Sequence, residues 1–330
     1  MKDLSRRDFG KKLSAGTLGG MVASSVAPLT MGEGASSPSP KRMTTVLREM
    51  IKSPGIIDTA GVYDPISARI AEWVGFRCVA MGGYSVGASL CVPEPILTLE
   101  DLAEVTRRMT AAVNVPLIVD AGAGYGEPAH VVNTVRVLER AGAAGIHIDD
   151  QIYPKRFHYH MGVEHTIPAE LMIEKIRYAR DARRDPDFLI FGRTDVMRTH
   201  GFAEGVRTAN LFAEAGAECI HVYPNNLEEA KRAPKEIHAP LHYTVSDGNA
   251  QGRPVLSTKE LEEMGYKVIG HSAGAILPVF KVLKDMFVRM KETGSAGLDP
   301  AVFIPLRKEI EEIIGLPEYY RIENETTEKA

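Results

Sequence analysis

One phrase recurs along this chain and limits what it can become: the end of a helix, a glycine, then a short run rich in β-formers. It reads WVGFRCVAM at Trp73–Met81, RAGAAGIHI at Arg140–Ile148, EAGAECIHV at Glu214–Val222 and EMGYKVIG at Glu263–Gly270. Glycine stops a helix because it accepts the left-handed conformation without steric cost. The run after it is almost continuously apolar, as expected of a parallel strand buried on both faces. Four more candidate strands lie between these: Gly55–Thr59, Pro116–Asp120, Phe188–Arg193 and Pro240–Val245. The intervening segments, such as Ala129–Arg140 and Ala203–Ala215, repeat apolar residues at helical spacing. Eight strands alternating with helices over about 240 residues predict a (β/α)8 TIM-type barrel. A doubly wound open sheet is the alternative, but it calls for GxGxxG after the first strand. Gly122-Ala123-Gly124 lacks the third glycine and follows the third strand. Beyond Ala273 come a helix to about Thr293, a Gly/Pro break and a further helix near Pro305–Ile314. These form a C-terminal extension that caps the barrel or packs on a partner subunit.

At 330 residues, 44% hydrophobic and 25% charged, the chain has ample material for a large core. Its net charge of −4 is unevenly spread. Residues 1–42 hold seven Lys and Arg against three acids, a net of +4, which leaves −8 on the remainder. An acidic body without a basic stripe excludes nucleic acid as the expected partner. Cys78, Cys91 and Cys219 make neither a disulfide framework nor a CxxC metal knuckle. The basic start reads as an address. Ser5-Arg6-Arg7-Asp8-Phe9-Gly10-Lys11 resembles a twin-arginine export signal, and Leu13–Ala27 is weakly apolar, ending in the small residues Ser25-Val26-Ala27. That stretch is too short and glycine-rich for a stable membrane span. The expected organisation is therefore a signal over 1–27, a linker over 28–42, and the barrel with its helical extension over 43–330. The twin-arginine translocase would be a transient partner, and the location periplasmic or exported.

A parallel barrel gathers its strand ends on one face, where acids, bases and cation ligands distant in sequence converge. Here the ends present Tyr63-Asp64, Gly82-Gly83-Tyr84-Ser85, Asp120, Asp149-Asp150, Arg193-Thr194-Asp195, Tyr223, Ser246-Asp247 and His271. Asp64, Asp150 and Asp195 equally suit the N-cap of a following helix. Asp120 suits that role less, because Gly-rich sequence follows it. His147 and His221 lie within strands and read as satisfied barrel histidines rather than ligands. His271 follows the last strand directly, beside small residues, and is expected to face the pocket.

Several segments together are similar to the isocitrate lyase/phosphoenolpyruvate mutase superfamily over about residues 43–290. These are GIIDTAGVYDPISARIAEWVGF, MGGYSVGASL, VDAGAGYG, IHIDDQIYPKR and FGRTD. The resemblance implies that Asp120 holds Mg²⁺, or Mn²⁺, directly or through water. Asp149 stands where the family has an outer Glu ligand, and Glu94 where it has a polarising Asp. Gly82, Gly83 and Tyr84 would offer backbone N–H groups to a substrate carboxylate. Arg193 would grip substrate oxygens, and Lys155 and Arg156 lie on a gating loop. It also implies homodimers or homotetramers that exchange a C-terminal helix. Two positions depart from the pattern. Gly122 replaces the second carboxylate of the cation loop, and Phe157 replaces the cysteine that isocitrate-type lyases carry after their basic pair. His158, His160 and His165 could replace that acid/base or merely solvate the loop. Val245–Asn249 and Gly270–Ala273 look similar to the superfamily's oxaloacetate decarboxylases, where a histidine like His271 is linked to substrate binding.

The expected activity is a Mg²⁺-dependent C–C lyase on a small 2-oxo or 2-hydroxy dicarboxylate, passing through an enolate. Oxaloacetate-like decarboxylation is favoured, since it needs an electron sink and a proton donor but no base for a hydroxyl. Phosphonopyruvate mutase or hydrolase chemistry and retro-aldol cleavage of a methylisocitrate- or dimethylmalate-like acid remain open. So does an exported dicarboxylate-binding protein without catalysis.

Overall fold

The computed structural model describes residues 41–249, 251–271 and 273–328. The proposed export signal and most of the linker lie outside the described residues. From β1 to β8, each strand is followed by at least one helix before the next. A first helix α1 (Met43–Lys52) precedes β1 (Ile57–Val62), α2 (Pro65–Trp73), β2 (Val79–Met81) and the short α3 (Gly83–Ser89). Next come α4 (Leu99–Ala112), β3 (Leu117–Asp120), α5 (Pro128–Arg140), β4 (Gly145–Asp149), α6 (Ala169–Ala182) and β5 (Leu189–Arg193). The short α7 (Val196–Thr199) and α8 (Phe202–Ala215) lead to β6 (Cys219–Val222), α9 (Leu227–Glu236), β7 (Leu241–Val245), α10 (Thr258–Met264) and β8 (Val268–His271). The eight strands pair in sequence order, all parallel, and β8 closes on β1: a TIM-type barrel.

Local chemistry sets the element boundaries. The Asp64 carboxylate accepts from the Ser67 N–H and starts α2 in a capping box, so that acid is an N-cap. Gly216 and Gly265 end α8 and α10 at φ 110° and 101°, in the left-handed region where a side chain would be strained. The tail departs from expectation in two ways. Helix α11 (Ile276–Thr293) ends at Gly294 as predicted, but α12 (Pro300–Ile313) starts before Pro305 and carries that proline inside. A further helix, α13 (Leu316–Glu325), follows it. Among the described residues, no helix is long and apolar enough to cross a membrane.

The core has two parts. Between strands and helices lies a large apolar layer that includes Leu102, Ile146, Ile148, Phe188 and Phe212. Inside the lower barrel, Ile57, Ile118, Leu189, Phe191, Cys219 and Val268 pack with Leu47 of α1, which is wholly buried. Strand alternation then lifts the next inward positions towards the C-terminal rim, where the inner face turns polar.

Closure of β1 on β8 leaves no room at Gly61, where an added Cβ would lie 1.9 Å from the His271 carbonyl oxygen. Gly61→Ala is therefore expected to cost about 1–3 kcal/mol or more in denaturant unfolding. Gly82→Ala, whose Cβ meets nothing within 4 Å, should change stability by less than about 0.5 kcal/mol.

Candidate active site

The strand ends of β3, β4 and β5 build one charged cluster. Asp120 closes β3, and its Oδ1 accepts the Gly122 N–H at 2.9 Å, while its Oδ2 lies 3.5 Å from Arg193 Nη1. Asp149 closes β4 in register with Arg193 on β5. It is fully buried; Oδ1 accepts from the Gln151 N–H at 3.2 Å, and Oδ2 has no partner. Burial pushes the Asp149 carboxyl up to about 6; Lys155 and Arg193 pull it down, and Asp120 adds to the rise. The glycine-rich loop after β3 is tied from behind, where the buried Lys175 of α6 donates to the Ala123 carbonyl at 3.0 Å.

Arg193 is 3% exposed. Its Nη2 donates to Tyr159 Oη at 2.7 Å and to Asp195 Oδ2 at 3.1 Å, and its guanidinium lies 4.8 Å from the Tyr223 ring centre. Burial works against this charge, but Asp195 and its other neighbours outweigh it and hold the guanidinium protonated. Asp195 accepts a second bond, from the Gln151 amide. Burial favours the neutral acid there, yet Arg193 and the hydrogen bonds win, and its pKa is lowered. Its neighbour Asp150 goes the other way, raised by burial and by the Asp195 charge. Neither acid caps a helix through its side chain. Asp150 instead bonds the Thr194 hydroxyl at 2.6 Å and the Asp195 N–H at 3.0 Å.

A cavity of about 220 Å³ opens above this cluster. Gly82, Gly83, Tyr84, Glu94, Asp120 and Arg193 line it, along with Tyr159, His160, Tyr223, Thr244 and His271. The first N–H groups of α3 have no intrahelical acceptor, as at any helix start, and this turn borders the cavity. Lys155 stands one bond away. Its ammonium meets Glu94 Oε1 at 2.5 Å, and His160 Nε2 lies 3.4 Å from Glu94 Oε2. Burial opposes the Lys155 charge, but Glu94 and Asp149 outweigh it and raise its pKa. The loop segment Phe157–Met161 forms a 3₁₀ turn that presents Tyr159 and His160 to the cavity. Phe157 points outward, 56% exposed, and His158 and His165 are exposed as well. No described cysteine lines the cavity.

His271 borders the cavity at its rim. Gly270 meets the His242 ring inside the barrel, so alternation turns the next side chain away from the axis. The His271 Nε2 then meets Asp58 Oδ1 of β1 at 2.9 Å, and Thr258 donates to the other oxygen at 2.9 Å. The floor is formed by His147, His221 and His242. Burial lowers His147 to about 3 and holds the other two well below the usual imidazole range. The expectation of a satisfied ring agrees with His147 and fails for His221. His147 Nε2 and His242 Nδ1 are 2.8 Å apart, but His221 Nδ1 and His242 Nε2 have no partner.

Sequence reading missed Asp58, Tyr159, Lys175 and His242 as members of this region. It left Asp195 open between a helix cap and the pocket, although FGRTD already set a carboxylate two residues from the arginine. Asp120 and Asp149 supply only oxygen, the donor a hard divalent cation takes, and one buried oxygen is unpartnered. The two residues therefore fit Mg²⁺. At Gly122 (φ 52°) an added Cβ would meet nothing within 4 Å, so the space for a third carboxylate exists without the group.

Residues 47–291 match the family described as phosphoenolpyruvate phosphomutase. The chain belongs to the phosphoenolpyruvate mutase/isocitrate lyase superfamily. A 2-methylisocitrate lyase of Aeropyrum pernix is 35% identical over 294 residues, covering 88% of this chain and 93% of the relative. A crystal structure of 2,3-dimethylmalate lyase matches with a TM-score of 0.79 at 28% identity, covering 86% of this chain and 95% of that one. A phosphonopyruvate hydrolase in complex with oxalate and Mg²⁺ matches with a TM-score of 0.77 at 26% identity, covering 88% and 100%. Close homologues in this superfamily are lyases, and the chain is an enzyme of the same group.

The Asp58–His271 pair has a defined pH window. The hydrogen bond to Asp58 raises the His271 pKa, and the bond from His271 lowers that of Asp58 against the effect of burial. The histidine contribution is present at low pH and lost as pH rises through its folded pKa. The aspartate contribution is present at high pH and lost as pH falls through its folded pKa. Their joint stabilisation is greatest between about 4 and 6.5, the ordinary values of the two groups. Asp58→Asn should return the NMR titration midpoint of the His271 ring towards the ordinary imidazole value; an unchanged midpoint would refute the pairing.

Proposed function

We propose that this enzyme is a divalent-cation-dependent lyase that breaks a C–C bond in a small 2-oxo or 2-hydroxy dicarboxylate. Decarboxylation of an oxaloacetate-like acid is the favoured reaction. The observation that carries this reading is the Asp120–Arg193 pair lining a cavity of about 220 Å³, with the unpartnered oxygen of the fully buried Asp149, the register partner of Arg193, outside that lining. That volume lies below the roughly 300–1,000 Å³ of drug-sized sites and suits a small acid. Bound Mg²⁺, held by Asp120 and Asp149, would supply Lewis-acid polarisation of a substrate oxygen. The protein's own groups do the rest. Arg193, fixed by Asp195 and Tyr159, places a rigid fork where enolate charge grows. The backbone N–H groups of Gly83 and Tyr84 orient a carboxylate. Lys155, locked to Glu94, brings the loop down and excludes water. His160, at the cavity wall, is positioned to return a proton to the carbon that loses CO₂.

The outward Phe157 and the absence of a thiol among the described lining residues support decarboxylation over isocitrate-type cleavage. Phosphonate chemistry is the second reading, favoured by the family match itself and by the phosphonopyruvate hydrolase likeness. Assays of oxaloacetate, phosphonopyruvate, methylisocitrate and dimethylmalate with Mg²⁺ separate these possibilities. We expect oxaloacetate to turn over and Asp120→Ala to slow it on the order of a hundredfold or more. No turnover on any of these acids, or an unaffected Asp120→Ala, would overturn the lyase reading; tight binding without turnover would point to a binding protein.

Two further features belong to this proposal. Phe280, Phe287 and Ile304 on α11 and α12 are 64%, 58% and 60% exposed, which supports a homodimer or homotetramer that covers them. Ser5-Arg6-Arg7-Asp8-Phe9 supports export to the periplasm by the twin-arginine route. Fusing residues 1–42 to a reporter should send it out of the cytoplasm, and Arg6→Lys with Arg7→Lys should keep it inside. Equal export of both fusions would count against the signal.

A further inference from the structure

The three floor histidines stand one inward position below the rim, His147 beneath Asp149, His221 beneath Tyr223 and His242 beneath Thr244. His221 and His242 are register partners on β6 and β7, and their rings stack at 4.1 Å. All three are at most 5% exposed. A histidine this deep normally finds a partner for each polar nitrogen. Here His221 Nδ1 and His242 Nε2 find none, although the cavity reaches all three rings. Gly270 opposite is bare, and a Cβ there would lie 2.6 Å from His242 Nε2.

We propose that His147, His221 and His242 form a second metal site, separate from the carboxylate pair, that takes a nitrogen-preferring divalent transition ion such as Zn²⁺. Each ring offers one nitrogen, and the three lie within 4.8 Å of one another. With Zn–N bonds of about 2.0–2.1 Å, tetrahedral ligand nitrogens lie roughly 3.3 Å apart, so metal binding rotates the rings inwards and exchanges the His147 Nε2–His242 Nδ1 contact for a bond to the ion. Imidazole suits Zn²⁺, Co²⁺ and Ni²⁺, whereas Mg²⁺ takes oxygen, so the two sites select different ions. An outer partner is already in place. His221 Nε2 and Thr244 Oγ1 are 2.6 Å apart; when that nitrogen carries the proton, Nδ1 keeps a bare lone pair. Arg193 lies nearby, but its charge is offset by Asp120 and Asp195, with Asp149 adjacent. Three protein ligands leave a fourth position facing the cavity, where water or a substrate carboxylate oxygen completes the shell.

The test uses the full chain stripped with a chelator and titrated with Zn²⁺ by calorimetry and with Co²⁺ by visible absorption. Asp120→Ala should keep the Zn²⁺ site and the Co²⁺ bands. His221→Gln should weaken Zn²⁺ on the order of a hundredfold or more, above the roughly 10–100-fold that loss of an outer partner costs. Thr244→Val, which keeps the side-chain shape but removes the hydroxyl, should weaken it by about tenfold. The site is refuted if wild type shows no Co²⁺ bands. It is equally refuted if the bands vanish in Asp120→Ala while surviving in Thr244→Val and His221→Gln. Because Asp120→Ala is the variant expected to lose lyase turnover, its metal titration separates failure of this site from failure of the lyase reading.

Discussion

A single guanidinium, buried to 3% exposure at the end of β5, organises the upper half of this barrel. A charge in that position is tolerable only when it is paired and hydrogen-bonded on every side. Asp195 supplies the close pair, Tyr159 a neutral acceptor, and Asp120 a longer-range countercharge. Each requirement recruits another element: Gln151 holds Asp195 from the loop after β4, and Asp150 locks the Thr194–Asp195 turn. Removing one partner of such a buried set typically costs about 3–5 kcal/mol, because the charge left behind is uncompensated. The arginine thus ties the loop after β4, the end of β3 and the rim into one unit.

The fold was largely legible because its signals are local. Glycine stops and continuous apolar runs located all eight strands, most within a residue or two of where the ladders begin and end. The first strand sits later than expected. Pairing starts when Ile57 donates to the Lys267 carbonyl at 2.8 Å, and Gly55 lies outside it at φ 85°. The tail was read less well. Pro305 resembles a helix start, since proline favours the first turn, yet α12 absorbs it. Helix α13 sets two adjacent tyrosines between only two aliphatic residues, Leu316 and Ile322, which blurs its helical period.

The site was legible by residue type and illegible by pairing. Asp120, Asp149 and Arg193 stand at strand ends in the sequence itself, and the resemblance gathered them into one pocket. The partners that hold side chains in place are not local. Asp58 and His271 are 213 residues apart, and His147 and His242 are 95 apart. Nothing in the local pattern marks Asp58 as a partner or makes LHYTV differ from any buried strand. Whether a strand residue faces the axis depends on a register that only closure of the barrel sets.

Helix α1, with Leu47 wholly buried among the lowest inward side chains, acts as a stopper at the far end of the cylinder. Among the described residues, Tyr159 and His160 of the Phe157–Met161 turn border the chamber above it. The plugged base thus sets the direction of exchange: solvent and solute reach the histidine floor from the strand-end rim.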